Sequence, residues 1–192
     1  QFYNGGNAGV QEGQATTTGY MLFKRFNRSI SKTSPGVASQ NRPSIIFRLA
    51  DFYLIYAEVA NEVNPSDSRV LTYLNLVRER AGLPKVEILN PGIVGNKELQ
   101  RAAIQRERQI ELATEGQRYF DVRRWMIADK DGEGRQNGYA HGMNVRGTIN
   151  DTEEFNRVVE TEKIVFNRKM YLQPIPDHEM RKTQNLVQNP GW

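Results

Sequence analysis

Residues 104–125, IQRERQIELATEGQRYFDVRRW, carry the most informative pattern in the sequence. The charged residues of this stretch recur at three- and four-residue steps, which places them on one face of a helix. Gly116 interrupts this pattern, and an aromatic and basic segment follows that ends at Trp125. We therefore predict a helix that is capped by Asn96, breaks at Gly116 and resumes as a short helix over residues 119–126.

The longer of these two helices has two contrasting faces. Leu99, Ala103 and Ile110 share one arc with other apolar residues, and Glu107 lies in the opposite, charged arc. We expect the apolar arc to pack and the charged arc to form a ladder of ion pairs. Its glutamates could suggest acid/base chemistry, but nearby arginines can neutralise them, so we favour a structural ion network. Its predicted members are Arg48, Asp51, Glu58, Glu107, Arg108, Glu111, Glu115, Arg118 and Asp121.

Two further helices are predicted before this one. Residues 44–64 are apolar on nearly every side apart from a narrow polar arc, so we expect a central, buried helix that ends before Pro65. A second helix is expected to be capped by Ser66 or Ser68 and to end at Gly82. The pair should form an antiparallel hairpin like a tetratricopeptide unit, although the chain lacks a repeat of about 34 residues.

Composition limits the classes of function. The 192 residues fit one domain, and a net charge of +4 with interleaved signs argues against nucleic-acid binding. Cysteine is absent, and no apolar run approaches the roughly 20 residues of a membrane span. The start at Gln1 shows no signal-peptide pattern, so we expect a processed or truncated product.

The sequence of the last third of the chain predicts mainly loop structure. Residues 129–154 are rich in glycine and predict a long irregular excursion, which in a compact domain is usually functional or mobile. A short alternating run covers residues 163–172, and Asp177 is expected to cap a final helical turn. His141 and His178 lack the spacing of zinc ligands, so no metal site is predicted.

Three groups of motifs together resemble a known family. They are RLADFYLIYAE at 48–58 with NLVRERAGLP at 75–84, ERQIELATEGQRYFD at 107–121 continuing to Trp125, and YLQPIP at 171–176 with QNPGW at 188–192. Each motif alone would be weak, but their order and spacing are specific. The chain resembles the C-terminal domain of the SusD/RagB family, the surface nutrient-binding lipoproteins of Bacteroidetes.

The resemblance implies a mainly α-helical, loop-rich SusD-like domain with little β-structure over residues 1–192, without the N-terminal part of the family fold. It also implies capture of glycans at the outer membrane, without catalysis or a cofactor, for delivery to a SusC-like TonB-dependent transporter. Membrane association would then come through an upstream lipid anchor.

Sugar binding needs aromatic rings that stack on a pyranose and polar groups that bind hydroxyls. The residues outside predicted helices that fit this chemistry are Tyr3, Asn4, Arg135, Asn137, Tyr139 and His141. Two alternatives also involve binding without catalysis. In the first, the chain is a scaffold that only docks to the transporter, and the ligand site lies in the missing N-terminal half. In the second, the chain binds peptides in a RagB-like role. A glycoside hydrolase would instead need two carboxyl groups about 5 to 10 Å apart in an open cleft.

Overall fold

The structure, a computed structural model, describes residues 18–20, 22, 24, 45–130, 138–144, 153 and 158–192. Its contacts divide the chain into two compact units. The first, which we call the helical unit, is Arg42–Arg124. The second, which we call the hairpin unit, combines Gln1–Asn41 with Trp125–Trp192.

The helical unit contains five α-helices and one short 3-10 helix in the part that the structure describes. They are α1 (Leu49–Val63), α2 (Ser68–Arg80), α3 (Val86–Leu89), the 3-10 helix Pro91–Ile93, α4 (Lys97–Glu111) and α5 (Gln117–Arg124). None of the described helices combines the length and the apolar character that a membrane crossing requires. About half of the described residues are helical, which confirms the prediction of a mainly α-helical fold.

Local signals fix the ends of α2, with one correction. The N-cap is Asp67, whose side chain accepts a hydrogen bond from the backbone N–H of Arg69 at 2.9 Å, and neither Ser66 nor Ser68 has this role. At the other end Gly82 adopts φ +76°, as predicted. The backbone N–H of Leu83 returns to the carbonyl of Arg78 at 2.9 Å, which completes a Schellman turn.

The start of α4 and the break after it follow the sequence prediction. The Asn96 side chain accepts a hydrogen bond from the backbone N–H of Leu99 at 3.1 Å and caps α4. Beyond α4, Thr114 and Gly116 have φ values of +67° and +83°, so the backbone leaves the helical path. The next helix, α5, begins two residues earlier than predicted, at Gln117.

A small apolar core lies where α1, α2 and α4 meet. Its buried members are Ala50, Leu54, Ala57, Val70, Leu74, Val77, Val86, Ile93 and Ile104. Burial of such side chains contributes roughly 1.5–3 kcal/mol each before entropy is counted. Three of these core residues, Ala50, Leu54 and Ala57, belong to α1, and they lie on one narrow side of that helix.

The predicted orientation of α4 is wrong, and the predicted burial of α1 is only partly correct, since Leu54 and Ala57 are buried as expected. On α1, Phe52 and Val59 are 53% and 57% exposed, whereas Asp51 is 7% exposed. On α4, Ile110 is 59% exposed and Arg108 only 3%. The physical reason is that the charged arcs face one another and satisfy each other, so burial of these charges does not leave them unpaired.

The hairpin unit contains strand β1 (Gly138–Met143), which pairs antiparallel with β2 (Val158–Ile164). After β2 come a 3-10 helix, Arg168–Tyr171, and α6 (Asp177–Met180). Thus β1 lies inside the segment predicted to be irregular, and the alternating run that we placed at 163–172 ends as a 3-10 helix. The N-cap of α6 is Pro176, and Asp177 is its first residue.

Two aromatic side chains fasten the end of the hairpin unit. The Trp192 indole N–H donates to the carbonyls of Lys169 and Leu172 at 3.1 and 3.0 Å. The Tyr171 hydroxyl donates to a carboxylate oxygen of Asp129 at 2.6 Å. This hydrogen bond is the main reason that the pKa of Asp129 is lowered, while burial is the main reason that the pKa of Tyr171 is raised.

Candidate functional site

The structure places two of the six predicted ligand-binding residues on β1. Tyr139 is 47% exposed and His141 is also exposed. They are two residues apart on a strand, so their side chains leave the same face. The other four, Tyr3, Asn4, Arg135 and Asn137, lie outside the described residues.

The pairing with β2 brings charged groups to the same face. Tyr139 lies opposite Lys163, and His141 lies opposite Glu160. Glu160 and Lys163 are three positions apart in the sequence, a spacing that in a regular strand would put their side chains on opposite faces. The register shifts between Ala140 and His141, so Thr161 is an extra residue that forms a β-bulge. Because of this bulge, Lys163 and Glu160 can both lie on the same face of the hairpin as Tyr139 and His141.

The back of β1 is held by close backbone packing. The backbone N–H of Met143 donates to the carbonyl of Thr18 at 2.8 Å. A Cβ atom at Gly142 would lie 2.8 Å from that carbonyl oxygen and 2.9 Å from the Thr161 methyl group. Glycine is therefore required at position 142 by the close approach of Thr18 and Thr161.

The open face, which we call the hairpin face, combines an aromatic ring with hydrogen-bonding groups of both kinds. The Lys163 ammonium lies 5.9 Å from the centre of the Tyr139 ring, at the outer limit of a cation–π contact. The Glu160 carboxylate can accept hydrogen bonds, and the His141 ring can donate and accept. An apolar ring plane beside such groups is suited to a ligand with one apolar face and many hydroxyls.

The predicted ion network centres on Arg108. Its guanidinium donates to Asp51 at 2.8 Å and, through two nitrogens, to Asp121 at 3.0 and 3.1 Å. The Arg108 side chain is only 2% exposed, so this bidentate contact is screened little by water. Arg108 thus joins α4 to both α1 and α5.

Arg48 forms a second centre, just before α1. It contacts both carboxylate oxygens of Glu115 at 2.9 and 3.1 Å, and it also pairs with the Glu111 carboxylate. These hydrogen bonds, that to Glu115 above all, raise the pKa of Arg48 despite partial burial. Arg80 on α2 reaches Glu111 at 2.6 Å.

Two of the remaining predicted members, Glu58 and Glu107, have arginine partners. Glu58 pairs with Arg124, which also contacts Asp121 at 2.8 Å. Glu107 pairs with Arg78 at 2.9 Å. Arg118 is half-buried on α5.

Arg78 and Arg80 were missed as members of the network. They lie at the C-terminal end of α2 and reach across to α4, and only the packing of the two helices reveals this.

These pairings bear on chemistry. The three glutamates on and after α4, Glu107, Glu111 and Glu115, each contact an arginine, so these three do not form the free carboxylate pair that a glycoside hydrolase needs. Within the described residues, no group of three or more metal-binding side chains could hold a metal ion.

The fold and surface define a mainly helical protein with a structural ion network and an exposed polar and aromatic hairpin face. A sequence model described as the SusD family matches residues 1–192, so the chain belongs to that family. Proteins of this family are generally surface glycan-binding proteins that work with SusC transporters and are outer-membrane-associated lipoproteins. They bind ligands and are not enzymes.

Individual relatives agree with this assignment. The chain is 44% identical over 106 residues to SusD-like protein P25 of Formosa agariphila, covering 55% of this chain and 19% of the relative. It is 31% identical over 153 residues to SusD-like protein P2 of the same organism, covering 77% and 26%. The chain therefore spans about a fifth to a quarter of the length of these relatives.

A solved structure shows a similar fold. It is a SusD-like protein from Bacteroides fragilis, matched with a TM-score of 0.62 and 31% identity over 78% of this chain and 26% of that one. The helical arrangement described above is therefore a known arrangement in this family.

Proposed function

We propose that this chain takes part in non-catalytic capture of glycans at the cell surface and that its hairpin face contacts the sugar. The observation that carries this proposal is the exposure of Tyr139 beside His141, Lys163 and Glu160. A buried Tyr139 would instead have favoured a scaffold without a ligand site in this segment.

The chemistry of the hairpin face supports a carbohydrate ligand. The Tyr139 ring offers an apolar plane for the C–H groups of a pyranose, and Glu160 and His141 offer partners for hydroxyl groups. Lys163 adds a donor at the edge of the ring. Tyr3, Asn4, Arg135 and Asn137 remain candidate contacts from the same proposal.

Membership of the family supports the wider setting. We infer that residues 1–192 act as a SusD/RagB-like C-terminal domain of a lipid-anchored protein at the outer membrane. Its partner would be a SusC-like TonB-dependent transporter that receives the captured glycan. These statements concern the whole protein. This chain spans about a fifth to a quarter of the length of its relatives.

The test is titration calorimetry against a panel of polysaccharides. It compares the full-length protein without substitution and the full-length protein with Tyr139→Ala. Loss of ring stacking should weaken binding of the preferred glycan about tenfold, equivalent to about 1.4 kcal/mol. Tyr119→Ala is the matched control, because Tyr119 is a similarly exposed tyrosine, 43% against 47%, in the helical unit.

Unchanged affinity in Tyr139→Ala would remove the hairpin face from the ligand site and favour the docking scaffold. Binding to peptides but to no polysaccharide would favour the RagB-like alternative. Equal losses in Tyr139→Ala and Tyr119→Ala would point to a general effect rather than to a contact at the hairpin.

A further inference from the structure

The segments before and after the hairpin meet at one side chain, that of Tyr171. Phe166 lies two positions after the end of β2, is 6% exposed and packs its ring edge-on against the Tyr171 ring, with ring centres 5.0 Å apart. Asp129 lies nine positions before the start of β1. Its carboxylate accepts the hydrogen bond from the Tyr171 hydroxyl at 2.6 Å, and its backbone N–H donates to the same hydroxyl oxygen at 3.2 Å. Tyr171 therefore links the chain that enters the hairpin to the chain that leaves it.

Trp192 holds the 3-10 helix that carries Tyr171. The two carbonyls that accept from its indole N–H, those of Lys169 and Leu172, lie on either side of Tyr171 in the chain. The Lys169 ammonium lies 4.2 Å from the centre of the Trp192 ring, within the range of a cation–π contact. Gly191 has φ +86°, and a Cβ atom there would lie 3.0 Å from the Lys169 Cβ, so glycine permits this close approach.

Two amide side chains hold the segment that follows Tyr171. Gln188 pairs with both backbone groups of Ile175, since its Nε2 donates to the carbonyl at 2.9 Å and its Oε1 accepts from the N–H at 2.8 Å. The Asn189 Nδ2 donates to the carbonyl of Gln173 at 2.6 Å. We use the name Tyr171 clasp for the side chains that make these contacts, namely Tyr171, Gln188, Asn189 and Trp192.

The hairpin needs such support because a two-stranded sheet is marginally stable in water. Within the described residues the sheet has only β1 and β2, and Val158 and Ile164 at the two ends of β2 are 61% and 39% exposed. The contact between Met143 and Thr18 holds β1 itself. The Tyr171 clasp instead acts on the two segments from which the hairpin extends, so it can set where the hairpin face points.

We propose that the Tyr171 clasp positions the hairpin face for its ligand. Tyr171 and Trp192 are then positioning residues that act through the backbone and do not touch the sugar. A looser hairpin would have to be ordered when Tyr139 and Glu160 meet the ligand, and this ordering opposes binding. The effect on binding rests on the proposed function of the hairpin face, whereas the link between the clasp and the hairpin does not.

The experiment measures amide hydrogen exchange by mass spectrometry in the full-length protein without ligand. It compares the unsubstituted protein with Tyr171→Phe, which keeps the ring against Phe166 and removes the hydroxyl that binds Asp129. Amides of β1 and β2 should exchange about three- to tenfold faster, because loss of one hydrogen bond favours local opening by about that factor. Calorimetry with the tightest-binding member of the polysaccharide panel should show an affinity about two- to fivefold weaker.

Tyr56→Phe is the matched control, because the Tyr56 hydroxyl also has a hydrogen-bond partner, Arg69 at 2.8 Å, but lies in the helical unit. It should change neither the exchange of the hairpin amides nor the affinity. Trp192→Phe keeps an aromatic ring beside Lys169 and removes the indole N–H. It should also accelerate exchange in β1 and β2, and it carries the same test if Tyr171→Phe does not fold.

The inference is overturned if the hairpin amides exchange no faster in Tyr171→Phe and Trp192→Phe than in Tyr56→Phe. It is also overturned if exchange is faster and the affinity is unchanged in a protein whose binding Tyr139→Ala does weaken, because the hairpin face would then bind without the clasp. Failure of the proposed function gives a different result. In that case no polysaccharide binds or Tyr139→Ala leaves the affinity unchanged, and faster exchange still supports the link between the Tyr171 clasp and the hairpin.

Discussion

One side of α1 is buried and the other lies in solvent, and the residues do not divide between the two sides by polarity alone. The face with Asp51 turns inward to Arg108, while the face with Phe52 and Val59 remains in solvent. Burial in the helical unit therefore follows the completion of ion pairs as well as hydrophobicity. An apolar residue left in water costs little by itself, whereas an unpaired buried charge costs much more.

The buried pairs also fix geometry. Arg108 approaches Asp121 with two parallel N–H groups, which constrains both distance and orientation. This bidentate contact can form in only a few arrangements of α4 relative to α5. We infer that the network selects one packing of the helices, while the apolar face of α1 imposes no such choice within the described residues.

The largest effect is expected at the centre of the charged face. Arg108→Ala should lower the free energy of unfolding by about 3–5 kcal/mol, because Asp51 and Asp121 would lose their buried partner. Urea unfolding followed by circular dichroism measures this loss. Arg106→Ala, two residues before Arg108 and exposed, is the control and should change stability by less than about 0.5 kcal/mol.

A triple variant tests whether the buried charges of Arg108, Asp51 and Asp121 stabilise the fold or mainly specify its packing. Replacing Arg108 by Met together with Asp51→Leu and Asp121→Leu should recover much of the stability lost in Arg108→Ala, since an apolar set can replace a buried ion group. Failure to recover would mean that the charges contribute stability of their own rather than mainly specifying the packing.

The next effect is expected at Arg48, whose side chain is 23% exposed. Arg48→Ala should cost about 1–3 kcal/mol, because the largely buried Glu111 and Glu115 lose a partner, while water can partly replace the half-buried Arg48 guanidinium. The same urea titration at low and high salt should show a larger cost at low salt. Arg181→Ala on α6, 79% exposed, should cost less than about 1 kcal/mol.

A smaller, pH-dependent effect is expected at the far end of α1. Arg101, and then Lys97, hold the pKa of Glu62 at about 2 against a usual 4.5. A lowered carboxylate pKa stabilises the folded state above pH 4.5, and this contribution is lost as the pH falls from about 4.5 to about 2. Because Glu62 is 42% exposed, we expect only about 0.2–1 kcal/mol.

The measurement is the free energy of unfolding of the native chain and of Glu62→Gln between pH 7 and pH 2. The two curves should differ at pH 7 and converge as the pH approaches 2. Glu162→Gln on β2, an exposed carboxylate of the hairpin unit, is the control variant. Curves that remain parallel through this range would show that Glu62 does not contribute the pH-dependent term.

The smallest effect is expected on the apolar face. Val59→Ser in the 192-residue chain should change the free energy of unfolding by no more than about 0.5 kcal/mol, because the side chain is 57% exposed. Leu54→Ala, on the opposite side of the same helix and fully buried, should cost about 2–5 kcal/mol. Equal losses at the two positions would contradict the assignment of the two faces.

Much of the helical layout could be predicted from local signals. Asn96 caps α4, Gly82 ends α2 and Gly116 separates α4 from α5, because each acts on backbone groups within a few residues. The cap of α2 was misplaced by one residue, since Asp67 competes with neighbouring serines for the same backbone N–H groups. Such competition is decided by small differences in geometry.

The candidate site was only partly predictable. The sequence indicated that Tyr139 is exposed, because small polar and glycine residues surround it. It did not indicate that Tyr139 belongs to a strand, because Gly138 and Gly142 are poor strand residues. The pairing with β2 and the approach of Thr18 override that preference, and both contacts are distant in sequence.

The family, the helical class and most helix boundaries can be predicted from the amino-acid sequence, because these depend on motif order and on interactions between near neighbours. The tertiary structure alone decided which face of α1 and α4 is buried and which residues share the hairpin face. The physical reason is that a helical pattern defines arcs but not their partners. Only the meeting of Arg108 with Asp51 and Asp121 determines which arc turns inward.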